Sequence, residues 1–87
     1  MRLPAMNTLR ALEGVARRGS MTRAAQELNV TPSAVSHALR QLEHELGFQL
    51  TVREGKGIEL TQAGRLYAEE VRKALAILAQ AGAAAGE

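Results

Sequence analysis

The sequence predicts a mainly α-helical domain that carries one small β-hairpin. Apolar residues recur at helical spacing along most of the chain, and residues that start and stop helices stand between these runs. One short stretch, around residues 54–57, instead has the glycine turn of a hairpin between two strand-like segments. A chain of 87 residues is long enough for one such domain.

Composition limits both the core and the chemistry. Aromatic residues make up 2% of the chain, so the core must be built from aliphatic side chains. The absence of Cys excludes disulfides and zinc–thiolate sites and suits a reducing cytoplasm. No stretch of about 18 apolar residues occurs, so we expect no membrane partner.

Two short helices are predicted in the first third of the chain. Asn7 can cap the first helix and Gly19 can end it. Gly14 stands in the middle of this helix at a cost of about 1 kcal/mol relative to Ala, which a close contact between helices would explain. Ser20 can cap the second helix, whose apolar residues follow the i, i+3, i+4, i+7 pattern. These residues are Met21, Ala24, Ala25 and Leu28.

The remaining elements complete a winged helix-turn-helix. Thr31 and Pro32 can start a third helix that runs over residues 31–46 and stops at Gly47. A hairpin follows over residues 49–60, and Thr61 caps a last helix that runs to about Ala81. We therefore expect a winged helix-turn-helix domain over residues 1–60, a linker helix over 61–81 and a flexible tail over 82–87.

The third helix has two chemically different faces. On the apolar face, four residues fall within about 60° of Val35. They are Ala38, Leu39, Leu42 and Leu46. The opposite face has hydrogen-bonding groups and no carboxylate at its centre, and it comprises Ser33, Ser36, His37, Arg40 and His44.

This polar face fits the major groove of DNA. Short Ser and His side chains can approach base edges, and the guanidinium of Arg40 can reach a guanine or a phosphate. The helix N-terminus at Thr31 and Pro32 also directs free N–H groups toward phosphate. A solvated face of an ordinary helix is the alternative. The small residues Ala24 and Ala25 favour the groove, because they let the second helix pack closely across the third.

The charge distribution and the hairpin agree with a polyanionic partner. Residues 1–42 carry a net charge of +4 and residues 43–87 a net charge of −2. Arg53 and Lys56 bracket the glycine turn, where they can lie along a phosphate backbone or in the minor groove. The alternative is a turn that only aids solubility.

Further basic residues occur in the first two helices. Thr22 and Arg23 open the second helix and can hold a backbone phosphate, although Arg23 can equally be a plain surface charge. Arg17 and Arg18 end the first helix, where they complement its dipole.

The last helix predicts a homodimer. Its apolar residues recur at alternating spacings of four and three, as in the seam of a two-helix coil. The predicted interface residues are Tyr67, Val71, Ala74, Leu75 and Leu78. In the alternative, the first half of this stripe packs on the first helix and the second half frays.

Two other function classes fit less well. The chain has no Asp and no Cys, and its two His residues are two helical turns apart, about 10 Å, too far to share a metal ion without other ligands. We therefore expect no catalytic residue, no metal and no cofactor. A helical protein-interaction adaptor would account for the last helix but not for the polar face of the third.

Several of these segments resemble the N-terminal domain of LysR-type transcriptional regulators. The segments are residues 20–28, residues 31–43, Leu46-Gly47 and Leu60-Thr61-Gln62-Ala63-Gly64, and the similarity extends over about residues 4–80. The resemblance implies a winged helix-turn-helix, a linker helix that pairs two subunits, and promoter binding by a dimer or tetramer. It implies DNA contacts near Pro32, Ser33, Ser36, His37 and Arg40.

The resemblance also implies what this chain lacks. Members of the family normally carry a larger C-terminal domain that binds a small-molecule effector, so we expect a fragment of a longer regulator. Two positions depart from the family pattern. Pro32 stands where many members have Gln, and Thr51 stands where many have an aromatic residue that fills more space beneath the hairpin.

Overall fold

The computed structural model describes residues 2–55 and 57–86, and in this part of the chain it has four helices and one two-stranded sheet. In chain order they are α1 (Met6–Arg18), α2 (Met21–Leu28), α3 (Pro32–Leu46), β1 (Thr51–Glu54), β2 (Gly57–Leu60) and α4 (Gln62–Ala85). The strands are antiparallel, with Thr51 opposite Leu60 and Arg53 opposite Ile58. The predicted winged helix-turn-helix with a long final helix is confirmed. No helix in the described ranges combines the length and the apolarity needed to cross a membrane.

Local capping sets most helix ends. Ser20, Thr31 and Thr61 precede α2, α3 and α4, and each side-chain oxygen accepts a hydrogen bond from the backbone N–H three residues later, at 3.2, 3.1 and 2.9 Å. Gly19 and Gly47 end α1 and α3 with φ values of 69° and 83°, in the left-handed region that glycine adopts without strain. These three caps and two stops were all predicted from the sequence.

Two predicted helix ends were wrong. Asn7 does not cap α1, because the helix already begins at Met6 and Ala5 takes the capping position. The buried hydroxyl of Thr8 instead donates to the Ala5 carbonyl oxygen at 2.7 Å. At the other end of the chain, α4 runs to Ala85 rather than Ala81, since the alanines beyond position 81 are strong helix formers. The expected flexible tail is therefore helical through Ala85, and Glu87 lies outside the described residues.

An aliphatic core joins the elements. Helix α1 packs against α2, α3 and α4, so it lies at the centre of the helical layer. The fully buried large side chains come from two helices, α1 and α3, and from the segment before β1. They are Leu12, Val35, Leu42 and Leu50, with Thr8 beside them.

Two glycines mark close approaches of different tightness. A Cβ placed on Gly14 would lie 3.4 Å from the Cβ of Ala24, so α1 and α2 touch there as predicted, yet an extra methyl group would still fit. A Cβ on Gly64 would overlap the carbonyl oxygen of Leu50 and lie 3.0 Å from its carbonyl carbon. The first turn of α4 therefore rests directly on the backbone that leads into β1.

This difference predicts opposite effects for the same substitution. Gly14→Ala should raise the free energy of unfolding by up to about 1 kcal/mol, because Ala has the higher helix propensity and meets only an ordinary contact. Gly64→Ala should lower it by about 1–3 kcal/mol or more, because rigid backbone must move. Urea denaturation of both variants beside the parent chain measures the two changes. A stable Gly64→Ala variant would contradict the described junction.

Candidate nucleic-acid interface

Helix α3 has the two faces that the sequence predicts. Val35, Leu39 and Leu42 are buried, and Ala38 is buried with them. On the opposite side Ser33, His37, Arg40 and His44 are exposed, while Ser36 is half-buried. The capped N-terminus adds Thr31 and Pro32, which are exposed and precede this polar face. Because the apolar face is packed into the core, the polar face is held in one orientation toward solvent.

The hairpin extends the polar face of α3. A groove runs between α3 and β1, and Ser36, Arg40, Thr51 and Arg53 are among the residues that line it. The exposed Arg53 lies opposite Ile58 on the strand pair. The structure thus brings two arginines together that are 13 positions apart in the chain. Lys56, predicted as a second wing contact, lies outside the described residues.

A carboxylate fixes the hairpin to α3. The Oε2 atom of Glu43 accepts hydrogen bonds from the backbone N–H of Leu50 at 2.8 Å and from the N–H of Thr51 at 3.1 Å. It also accepts one from the Thr51 hydroxyl at 3.2 Å. Thr51, which departs from the family pattern, therefore contributes a polar contact here instead of aromatic bulk.

This role of Glu43 is not evident from the sequence. An acidic residue at the margin of an apolar helix face is a weak signal by itself, because solvent exposure explains it equally well. The partners of Glu43 are seven and eight positions further along the chain, beyond the reach of helix periodicity.

The arginines fall into two electrostatic groups. At the end of α1, Arg17 bonds to Glu13 at 2.7 Å and also to Glu27 of α2, and Arg18 lies 3.8 Å from Glu27. In contrast, Arg23, Arg40 and Arg53 form no ion pair with any residue of the ranges 2–55 and 57–86. Their positive charges are not neutralised by a neighbouring carboxylate of the described chain, which suits binding of an external anion. Arg17 and Arg18 were predicted only to complement the α1 dipole, and the structure gives them carboxylate partners as well.

The start of α2 presents a smaller polar site. Thr22 and Arg23 are exposed in its first turn, next to the Ser20 cap. Both side chains are accessible at a helix N-terminus, and the phosphate contact there stays a prediction.

The apolar stripe of α4 is divided between two environments. Val71 is 7% exposed and belongs to the packed interior of the single chain. Tyr67 and Leu75 are half-buried, and the Tyr67 ring meets the Phe48 ring edge-on with centroids 6.4 Å apart. Ala74 and Leu78 are exposed. The structure therefore does not leave Val71 free for a second chain, in contrast to the predicted seam, whereas Ala74 and Leu78 remain accessible.

Comparison with known proteins assigns the fold to a family. A family model for bacterial regulatory helix-turn-helix proteins of the lysR family matches residues 6–65. The chain belongs to this family. The matched segment contains α1 to β2 and the first residues of α4, which are the elements that form the polar surface and its support.

Curated relatives are transcriptional regulators. A glycine cleavage system transcriptional activator homolog from Haemophilus influenzae is 44% identical over 80 residues, which cover 92% of this chain and 27% of the relative. The RuBisCO operon transcriptional regulator of Allochromatium vinosum is 52% identical over 60 residues, which cover 69% of this chain and 20% of the relative. The chain thus spans about a quarter of the length of the curated relatives that it matches.

Solved structures with the same fold include complexes with DNA. The CbnR_DBD–DNA complex matches with a TM-score of 0.82 and 32% identity, and the match covers 93% of each chain. The BenM_DBD/catB site 1 DNA complex matches with a TM-score of 0.85 and 27% identity over 94% of this chain and 91% of the other. The fold described above is therefore that of lysR-family domains solved with duplex DNA.

The Arg17–Glu27 contact predicts a pH-dependent stability. Hydrogen bonds from Arg17 lower the pKa of the Glu27 carboxyl below its ordinary value. A carboxyl with a lowered folded-state pKa stabilises the fold above the ordinary Glu pKa of about 4.3, and this contribution disappears as the pH falls through the lowered value. Glu27→Gln should therefore reduce the melting temperature at pH 7, and the difference from the parent chain should shrink on acidification.

A charge-matched control isolates this effect. Glu45 is exposed and forms no ion pair with the described residues, so Glu45→Gln should leave the acid dependence of melting unchanged. If Glu27→Gln melts like the parent chain at every pH, the contact between α1 and α2 contributes nothing to stability.

Proposed function

We propose that this domain binds double-stranded DNA in a sequence-specific manner and places a lysR-family transcription regulator on its promoter. The observation that carries the proposal is the surface shared by α3 and the hairpin, where Arg40 and Arg53 line one groove and form no ion pair with a carboxylate of the described chain. DNA is a polyanion, and such a surface attracts it through its phosphates before any base is read.

Helix α3 is the element that would enter the major groove. The major groove of DNA is about 12 Å wide, which admits a helix with its side chains. Ser33, Ser36 and His37 would then meet base edges, and Arg40 would bind a guanine or a phosphate with its fork of donors. Pro32 has no N–H and would contribute shape and apolar contact, for instance with a thymine methyl group.

The other predicted contacts would hold the helix in register on the backbone. Arg53 would bind phosphate beside the groove, and Lys56 of the same hairpin would do likewise. Thr22 and Arg23 would bind the phosphate that faces the start of α2, with Thr31 at the start of α3. Contacts of this kind orient the protein on the duplex without distinguishing one sequence from another.

Two copies of the chain would pair through α4. The exposed residues Ala74 and Leu78, with Leu75 and Tyr67 at their margin, offer the apolar surface for this contact, while Val71 supports it from within each chain. A dimer presents two α3 helices to two half-sites, which multiplies the selectivity of each. This would be a homodimer on promoter DNA in the cytoplasm, and a small-molecule effector would act on a domain outside this chain.

The proposal assigns binding and no catalysis to this domain. In the described residues, no cluster of three or more His, Cys, Asp or Glu side chains is arranged to hold a metal ion. The named relatives are transcriptional regulators, which supports the same assignment. A protein-interaction adaptor, the alternative from sequence, predicts no affinity for duplex DNA.

The direct test is binding to duplexes selected from a random pool. Arg40→Ala should weaken binding to the selected site by about 1–3 kcal/mol, because one base or phosphate contact is lost. His37→Ala should change the sequence preference more than the overall affinity. Fluorescence anisotropy on selected and scrambled duplexes separates these two effects.

Arg72→Ala serves as the matched control. It removes the same charge from α4, where Arg72 pairs with Glu69 at 2.6 Å, and it should bind nearly as well as the parent chain. Folded Arg40→Ala and His37→Ala variants that bind like the parent chain would show that α3 does not read the groove. A parent chain that selects no duplex would overturn the proposed function itself.

The proposed dimer has its own test. Leu78→Glu should shift the sedimenting mass toward the monomer and should cost more affinity on a duplex with two half-sites than on one half-site. Gln80→Glu adds the same charge nearly opposite on α4 and should leave both quantities unchanged. A parent chain that stays monomeric at high micromolar concentration, free and on DNA, would contradict pairing through α4.

A further inference from the structure

Glu43 lies on the same helix as the proposed groove-reading residues but does not belong to their face. It is half-buried, one turn after Arg40, and its carboxylate is turned toward the segment that leads into β1. A single oxygen accepts all three hydrogen bonds from Leu50 and Thr51. Hydrogen bonds to an ionised acceptor are about twice as strong as those between neutral groups, so this is a firm attachment.

The attachment acts on the part of the hairpin that carries Arg53. Side chains alternate between the faces of a strand, so Thr51 and Arg53 lie on the same face of β1. Both also line the groove that contains Arg40. Fixing Thr51 against α3 therefore also restrains where Arg53 lies relative to Arg40.

Few other hydrogen bonds could set the distance between these two arginines. Among the hydrogen bonds of residues 2–55 and 57–86, those to Glu43 are the ones that join α3 to residues 49–60. The Leu50 carbonyl oxygen and the Gln49 carbonyl oxygen accept from Thr61 at 2.8 and 2.9 Å, and these bonds tie the base of the hairpin to the start of α4 instead. Beyond Thr51, the β1 side chains are exposed and add little packing.

We infer that Glu43 is a positioning residue for DNA binding, which holds the hairpin at the spacing from α3 at which Arg40 and Arg53 contact one duplex together. The Thr51 hydroxyl completes its site. The inference rests on the proposed function, since it describes how two parts of that surface are kept in register. Neither Glu43 nor Thr51 need touch DNA.

Glu43→Gln is a discriminating test, because loss of the charge and loss of the positioning role should change DNA affinity in opposite directions. Removal of a negative charge near a polyanion should by itself strengthen binding. Glu45→Gln removes the same charge from an exposed position on the same helix, and it should bind DNA as well as the parent chain or slightly better. Glu43→Gln should instead bind about fivefold to tenfold more weakly, within the range of coupling between contacting residues, because a neutral amide holds the two N–H groups less firmly.

Two substitutions of Thr51 change this hydrogen-bonded site less than Glu43→Gln does, and both should preserve the fold. Thr51→Val keeps the shape and removes the hydroxyl, and it should weaken binding by about twofold to threefold, at the low end of such couplings. Thr51→Ser keeps the hydroxyl and should bind like the parent chain. Amide hydrogen exchange at positions 50 and 51 of the free protein should be faster in Glu43→Gln and Thr51→Val than in the parent chain. It should be unchanged in Thr51→Ser.

A double-mutant cycle with Arg53→Ala tests whether the hydrogen bonds of Glu43 affect DNA binding through Arg53. Arg53→Ala should lower the slope of log affinity against log salt by about one unit, the effect of one lost phosphate contact. Glu43→Gln should lower the slope by a similar amount, and it should cost little further affinity when Arg53 is already Ala. A residue that only stabilises the fold would change neither the salt slope nor this coupling.

The outcomes separate the inference from the function on which it rests. If the parent chain does not bind duplex DNA, the proposed function fails and the inference fails with it. If the parent chain binds, but Glu43→Gln matches Glu45→Gln or its loss is independent of Arg53, the inference alone is wrong. Weaker binding that disappears in the Arg53→Ala background, with Thr51→Ser intact and Thr51→Val impaired, supports it.

Discussion

The residue Leu50 is the point at which three elements of this domain meet. Its side chain is fully buried, its N–H donates to Glu43 of α3, and its carbonyl oxygen accepts from Thr61 before α4. The same carbonyl group leaves no room for a side chain at Gly64. The positions of the hairpin, α3 and the final helix therefore all depend on one peptide segment whose backbone groups are hydrogen-bonded. A polar backbone can be buried in this way because each of its groups has a partner.

The arginines of this domain differ in whether a carboxylate pairs with them. The carboxylates near α1 and α2 are used in contacts with Arg17 and Arg18, which join the two helices that support α3. No carboxylate of the described residues is paired in this way with Arg40 or Arg53. Exposed ion pairs contribute modestly to stability. Their location also matters, because the carboxylates near α1 and α2 pair with Arg17 and Arg18, whereas Arg40 and Arg53 have no such partner among the described residues. A chain with a net charge of only +2 thus presents two arginines on one surface that form no ion pair among the described residues.

Helix α4 shows why a small domain benefits from a partner. Its first half is used within the chain, where Ala68 and Val71 are buried, and its second half projects beyond the core with Leu78 58% exposed. The molecule accordingly extends 48 Å in its longest dimension and only 18 Å in its shortest. Apolar surface on such a projecting helix is stabilised by burial against a second helix, which is consistent with pairing through this segment.

The local features of this protein could be predicted from its sequence. The hydroxyl caps at residues 20, 31 and 61, the left-handed glycines 19 and 47 and the two faces of α3 follow from interactions within a few positions. The family resemblance also followed from residues at these same positions, so fold class and proposed function were both accessible before the structure. The start of α1 was misplaced because the residue at the capping position is Ala5, whose side chain cannot accept a hydrogen bond, so no capping side chain marks this helix end in the sequence.

Which surfaces pack together and which stay exposed depends on contacts that form only in the folded chain. The partners of Glu43, the steric need for glycine at position 64 and the burial of Val71 all involve residues that are distant along the chain or belong to another element. The sequence periodicity of α4 marked one continuous apolar stripe, but periodicity carries no information about how far the core extends along a helix. That extent is set by the length of α1 and by the junction at Leu50, which exist only once the chain has folded.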